Sequence, residues 1–524
     1  MLKKKSFNII TFIAAVMLVA AFTACGGGDE SDGTTSFEVY DVATLKKVGT
    51  GADGWTLSAH YKQTANIDMT GETWTAIGSY HNQFSGSYDG GGKIITGITV
   101  NAPSEDWQGL FGYIGTGGEV KNVGMVACNI NGHECVGSIA GYSDGKIQNC
   151  YSTGTVTSNT SNYGGGGIVG YNDTNGTVLN CYSTGNVNGF SRVGGVAGSN
   201  DGTVQNCHST GGITGTGGRT GGIVGYNETN GTVKNCYATG DVDSPASTGG
   251  VAGDNNGTVQ DCYATGDVSG GGAIGGVVGY NDGNCGYGIV KNCYATGNVS
   301  GTDYHVGGVV GRNRWNGTIQ NCYATGDISG DGNTGGVVGD NGGTVQNCYA
   351  TGNISGGDDN IGGVVGANDR AVQNCYATGD ITGSSNSGHV GGVVGMNTTG
   401  GTIKNCAALN KSVRTARNVI NIIGRVLGYD FVSGTSNNYG RNGMTLQYST
   451  GVTQSINAGL GSRDGADVTT ANAILQTWWT TTASWDASSP WYWTNTWNYP
   501  DSLGKLPTLK GMPGNPTQNP VIKN

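Results

Sequence analysis

The chain predicts an all-β fold, a parallel β-helix closed at each end by sequence of a different kind. Three observations carry this. One phrase, GG[VI][VA]G-x-N followed by G-T-[VI]-[KQ]-N-C-Y-A-T-G-[DN]-[VI], recurs nine times between Gly166 and Cys406. Ten cysteines (Cys150, Cys181, Cys207, Cys236, Cys262, Cys293, Cys322, Cys348, Cys375, Cys406) return at intervals of 26 to 31 residues, a period that marks a solenoid. And the repeats show no helical period. After each Cys the pattern alternates, Cys236, Ala238, Gly240 and Val242 against Tyr237, Thr239 and Asp241, as in a strand with one buried face.

Within a copy, the brief GGVVG segment and the stretch from the Cys onward are the two β signals. A coil of this length with two or three strands is expected. Small apolar Cys, Ala, Gly and Val are placed inside, with Tyr, Thr and Asp/Asn facing water. Val233 lies three residues before Cys236, so both point inward only if the chain turns at Asn235. Asparagine tolerates the left-handed region, and its amide can bond along a stack. The Asn of Gly-x-Asn (Asn172 to Asn397) is assigned to corners for the same reason. Insertions fall after Gly-x-Asn, as in Asp282–Gly288 and Arg314-Trp315-Asn316, and after the last Val, as in Asp243–Ser247 and Gly383–Gly388. Both are read as loops, where solenoids often carry binding residues.

GGVVGYN followed by GTVKNCYATG resembles the GLUG motif of bacterial surface proteins, among them some IgA-specific metallopeptidases and large adhesins. The resemblance covers roughly residues 109 to 406. Ala65-Asn-Ile-Asp68, Trp74–Gly78, Phe84–Gly90 and Gly109–Tyr113 resemble the usual lead-in to such repeats. It implies a right-handed β-helix on a cell surface and no single activity.

Residues 1–24 read as a lipoprotein signal peptide: Lys3, Lys4 and Lys5, an apolar run from Ile9 to Phe22, then Thr23-Ala24-Cys25. The stretch is too short and too early for a spanning helix. Small residues before Cys25 resemble a lipobox, which makes Cys25 the lipidated N-terminus and tethers the chain to a membrane leaflet. Residues 25–35 are a flexible linker whose Asp29, Glu30 and Asp32 resemble a surface-export signal. Residues 36–108 are assigned to an N-terminal cap and first coils, with a short helix over Tyr40–Val48. Residues 109–406 are the repeats. Residues 407–524 hold a last coil and a Trp-rich C-terminal cap or small domain, with six of the ten tryptophans between 478 and 497. The expected location is the bacterial outer membrane, exposed at the surface.

Glycine is 101 of 524 residues without a collagen period, charged residues are 12%, and the formal charge is −10. Loss of the three leader lysines takes it to −13, which argues against a nucleic-acid partner. A monomer is expected. Fourteen cysteines in an exported chain suggest disulfides. Side chains stacked in register, however, point parallel to one another and not toward each other. The ten are therefore read as a buried thiol ladder. Cys128 and Cys135 remain free to pair, and Cys285 lies in an insertion.

Catalytic patterns are sparse, and no enzyme is expected. His133-Glu134 opens like HExxH, but Gly137 stands where the second His belongs. The [DN] row (Thr155, Asn186, Gly212, Asp241, Asp267, Asn298, Asp327, Asn353, Asp380) interleaves its acids mostly with Asn, as like-charge avoidance produces. No cofactor is expected. Asp173, Asp201, Asp254, Asp282 and Asp369 could hold Ca²⁺, but no specific calcium motif supports it. Candidate ligand-binding residues are Tyr237, Tyr263, Tyr294, Tyr323, Tyr349 and Tyr376, a row that can stack on sugars or stiffen the coil. Trp478, Trp479, Trp491 and Trp493 can form a glycan platform or a hydrophobic cap. The reading is a lipid-anchored, adhesin-like surface protein that binds glycan or protein ligands. A polysaccharide-active enzyme and a structural spacer are the alternatives.

Overall fold

In the computed structural model, residues 36–524 are described except 285–287, 432–433, 450, 483–495, 499–504, 515 and 524. They form a parallel β-solenoid of about 15 turns, with 15, 12, 15 and 21 strands in its four lateral sheets. A representative turn runs Val224–Asn227 on the first face, Thr232–Lys234 on the second, Tyr237–Ala238 on the third and Val242–Gly249 on the fourth. Each coil therefore crosses four sheets, not two or three strands, and in several coils the fourth face is split into two short strands, as in Val299–Gly301 and Val306–Gly307. The stretch from Cys236 to Val242 alternates as expected but is two strands. The break is at Gly240, where an added Cβ would stand 2.0 Å from the Gly211 carbonyl oxygen of the preceding coil. Only glycine lets the corners stack that closely.

Coils pair in register, Val204 with Val233 and Val233 with Val259, and Tyr237 with Tyr263 and Tyr263 with Tyr294. The corner before each Cys is left-handed. Asn235 has φ 52°, and Asn206, Asn292, Asn321 and Asn347 lie between 52° and 55°. Val233 and Cys236 are both buried as a result. Outside the corner the amides chain together: Asn235 Nδ2 donates to Asn206 Oδ1 at 3.2 Å, and Asn347 Nδ2 to Asn321 Oδ1 at 3.1 Å.

The Gly-x-Asn asparagines differ from that expectation. They sit at strand ends without left-handed φ, fully buried, and form a second amide column inside the solenoid. Asn227 donates to Asn255 at 2.8 Å, Asn255 to Asn281 at 2.7 Å and Asn281 to Asn313 at 2.8 Å. Each also donates to a carbonyl in its own corner, such as Asn227 to Gly231 at 3.0 Å. A buried amide needs this satisfaction to be tolerated.

One apolar core runs from Val39 to Tyr448. At its start Phe37, Trp55, Tyr61, Phe84 and Phe111 pack with ring centroids 4.8–6.3 Å apart. The helix Val42–Lys47 carries an Asp41 capping box. At the far end Arg425, fully buried, takes the position where Gly392 sits one coil earlier. It donates to the Asp464 and Gly465 carbonyls at 2.9 Å and pairs with Asp467 at 2.7 Å. The segment Asp243–Ser247, read as a loop, lies inside the continuous strand Val242–Gly249, which pairs with Val268–Gly275.

Candidate binding surfaces

The ten ladder cysteines are buried and free. The Cys236 thiol donates to the Lys234 carbonyl at 3.2 Å and the Val204 carbonyl at 3.6 Å. Each sulfur thus has a main-chain acceptor at its corner. Burial pushes the Cys262 and Cys293 thiols well up, which keeps them protonated and unreactive. Cys128 and Cys135 are also free and do not pair; Cys128 meets the Ser152 hydroxyl at 3.4 Å. Cys25 and Cys285 lie outside the described residues.

The tyrosine row stacks from Tyr151 through His208 to Tyr376, with centroids 4.7–5.0 Å apart and rings within 6° of parallel. Ring faces are consumed by neighbours, so a sugar cannot stack on them. What reaches outward is a wall of ring edges and hydroxyls.

That wall is open only in part. Tyr151, Tyr182, Tyr237 and Tyr263 are half-buried. Tyr294, Tyr323, Tyr349 and Tyr376 are 5% exposed or less, which corrects the expectation that they face water. The C-terminal segment covers them. Trp478, Trp479, Trp497, Leu506, Leu509 and Met512 form one apolar cluster with these four tyrosines. The Tyr376 hydroxyl donates to the Pro507 carbonyl at 2.6 Å, and the Tyr349 hydroxyl to Gln518 at 2.8 Å. Trp478, Trp479 and Trp497 therefore lie along a side of the solenoid. Trp478 and Trp479 are buried there and form no exposed platform. Trp491 and Trp493 lie outside the described residues.

The [DN] row is tied into the backbone. Asp241 Oδ1 accepts from the Asp267 amide at 2.9 Å, Asp267 from Asn298 at 2.7 Å, and Asp327 from Asn353 at 2.8 Å. Each carboxylate is held by the next coil. His133 and Glu134 are likewise engaged. His133 Nδ1 meets Asp106 at 2.8 Å, and Glu134 accepts from Thr160 and Asn162 at 3.0 Å. Of the calcium candidates, Asp201 accepts from Asn230 and Thr174, Asp254 pairs with Arg219, and Asp369 accepts from Thr398. No group of three or more His, Cys, Asp or Glu side chains placed to hold a metal occurs among the described residues.

Sequence reasoning passed over a polar cluster that joins fourth-face arginines to first-face residues. The Arg192 guanidinium lies over Tyr163 at 5.2 Å and Tyr226 at 4.7 Å and pairs with Glu228 at 3.3 Å. Arg219 lies over Tyr226 at 5.0 Å and pairs with Asp254 at 2.8 Å. Burial raises the Glu228 and Asp254 carboxyls, partly offset by these arginines. The positions between Gly and Asn and just before GG vary from copy to copy. That variation within an otherwise constant phrase was the available signal.

Compared with known proteins, the GLUG motif matches residues 132–157, 161–188, 216–243, 270–300, 302–329, 357–382 and 386–414. The chain carries seven GLUG repeats. Its GLUG repeats occupy the solenoid coils just described. Halomucin of Haloquadratum walsbyi is 28% identical over 170 residues, 30% of this chain and 2% of that protein. A provisionally named Gly-rich membrane protein of Evansella cellulosilytica is 32% identical over 164 residues, 28% of this chain and 19% of that protein. The chain thus spans a small part of both relatives. A crystal structure of a provisionally named immunoglobulin A1 protease from Bacteroides ovatus aligns over 91% of this chain and 92% of that one. Its TM-score is 0.24 at 16% identity, a likeness that carries no functional argument.

Proposed function

We propose that the chain is a lipid-anchored, surface-exposed β-solenoid that binds glycan or protein ligands in an adhesin-like manner. The observation that carries this is the repetition itself. About 15 coils hold side chains in rows with a common register. Such a surface offers many weak, equivalent contacts, which suits avidity more than a single transition-state site. The names of the two relatives, a mucin-like name and a membrane protein, agree with a surface role. The carboxylates of the [DN] row accept hydrogen bonds from neighbouring coils, so this row does not favour a polysaccharide-cleaving reading.

Two experiments test the proposal. Cys25→Ala should release the chain from membranes; retention through a high-salt wash would remove the anchor. In a glycan and matrix-protein array, the purified full chain should bind at least one ligand class. Deleting residues 249–334, which joins Thr248 to Gly335 in register, should weaken that binding gradually. Polysaccharide cleavage abolished by one Asp→Asn change at Asp241, Asp267, Asp327 or Asp380 would make the chain an enzyme.

A further inference from the structure

On the first face the outward residue of Gly-x-Asn stacks coil on coil as Tyr280, Arg312 and Asp340. The Arg312 coil departs from the repeat in three residues. Arg314 sits in register with Asp282, and Trp315-Asn316 forms the corner that follows. Trp315 is 54% exposed and has φ +49°, and Asn316 follows at +73°. A left-handed backbone is costly for a bulky side chain, and such strain gathers at functional sites.

Around this corner is an open cleft of about 330 Å³, lined by Arg312, Arg314, Trp315, Asp340, Asp369 and Arg370. That is near the lower end of small-ligand pockets, roughly 300–1,000 Å³. The Arg314 guanidinium lies 4.8 Å from the Trp315 ring centroid and donates to the Tyr280 hydroxyl at 3.0 Å. Arg312 pairs with Asp340 at 3.0 Å, and Asp369 accepts from the Thr398 hydroxyl at 2.7 Å. The exposed Arg370 guanidinium has no hydrogen bond or ion pair among the described residues. Three arginines face two aspartates here, in a chain with 36 acids and 26 bases.

The chemistry of these groups selects a ligand class. A guanidinium presents a planar fork that matches a carboxylate. An indole offers a flat apolar surface with a polar edge. Unlike the tyrosine row, Trp315 has no ring stacked on it among the described residues. We propose that this cleft binds a sugar residue carrying a carboxylate, with Arg314 and Arg370 on the carboxylate and Trp315 against the ring. The proposal deepens the surface-binding reading and rests on it for biological setting only.

The test is calorimetry with the purified full chain and three probes. These are an oligosaccharide of alternating uronic acid and N-acetylhexosamine, the same oligosaccharide with its carboxyls reduced to alcohols, and a poly-glutamate peptide. The acidic oligosaccharide should bind, and the reduced one should bind about tenfold more weakly or less, as loss of a charge-assisted pair implies. Arg370→Ala and Trp315→Ala should each weaken binding by about tenfold. Both side chains are exposed, circular dichroism checks the fold, and either variant suffices. Equal binding of the neutral oligosaccharide, equal binding of poly-glutamate, no binding of the acidic one, or no effect of either variant would overturn the proposal. If array ligands still bind while the acidic oligosaccharide does not, this cleft assignment fails and the surface-binding reading stands.

Discussion

Replacing Asn281 with alanine removes one link of the buried amide column. Its Nδ2 donates to Asn313 Oδ1 at 2.8 Å and to the Gly288 carbonyl at 2.9 Å, and its Oδ1 accepts from Asn255 at 2.7 Å. Asn255 keeps the carbonyls of Gly257 and Ile289, and Gly288 keeps the Thr318 amide. Asn313 Oδ1 is left buried without that donor. One orphaned buried acceptor costs about 1–3 kcal/mol, and the void left by the amide adds to it. A loss of roughly 2–4 kcal/mol is expected. Because stacked coils can unfold piecemeal, a single global value is not the right readout. Hydrogen exchange of the amides from 278 to 320 measures the local opening, alongside urea unfolding followed by circular dichroism. The control is Asn235→Gly at an exposed left-handed corner. Glycine adopts φ 52° without strain, and only an exposed amide bond at 3.2 Å is lost. It should cost less than about 1 kcal/mol. Equal shifts for the two variants, or a shift under about 1 kcal/mol for Asn281→Ala, would refute the reasoning.

Three further outcomes follow from the same packing. The native chain should react with a thiol reagent at few sites and the denatured chain at ten or more, since all twelve described cysteines are buried and free; ladder disulfides found by mass spectrometry would contradict this. Truncation after residue 469 should make Tyr294, Tyr323, Tyr349 and Tyr376 accessible to nitration while Tyr151 and Tyr182 change little; unchanged protection would mean that something other than the C-terminal segment covers them. Burial, with help from Arg312, lowers the His305 pKa to about 4. Stability tied to neutral His305 is therefore complete above about pH 6.5 and declines as pH falls toward 4, by at most about 3 kcal/mol. His305→Asn should flatten that part of a stability–pH curve, and an unchanged slope would dismiss His305 as its source.

The solenoid was legible because its rules are local and repeated. Val233, Asn235 and Cys236 can all be satisfied only by a left-handed corner, and the sequence restates that constraint coil after coil. The number of faces was harder to read. Cys236 to Val242 keeps one alternation across two strands, because the corner at Gly240 turns the chain without reversing its inside. The two asparagine positions also looked alike. Both bond along the stack, but whether an amide column runs outside a corner or within it depends on which way the chain bends there.

By itself the sequence determined the repeat, its register, the inward Cys and Val positions, and the absence of a complete HExxH site. These follow from residue type and spacing within a single coil. The tertiary structure alone decided that half of the tyrosine wall is covered, because Trp478, Trp497 and Leu509 reach it from more than a hundred residues away. It alone brought Arg370 to Trp315 and Arg314, which lie two coils away along the solenoid face and 55 and 56 residues away in the chain, with Gly342 on the coil between. Contacts of that kind depend on stacking, which no single repeat contains.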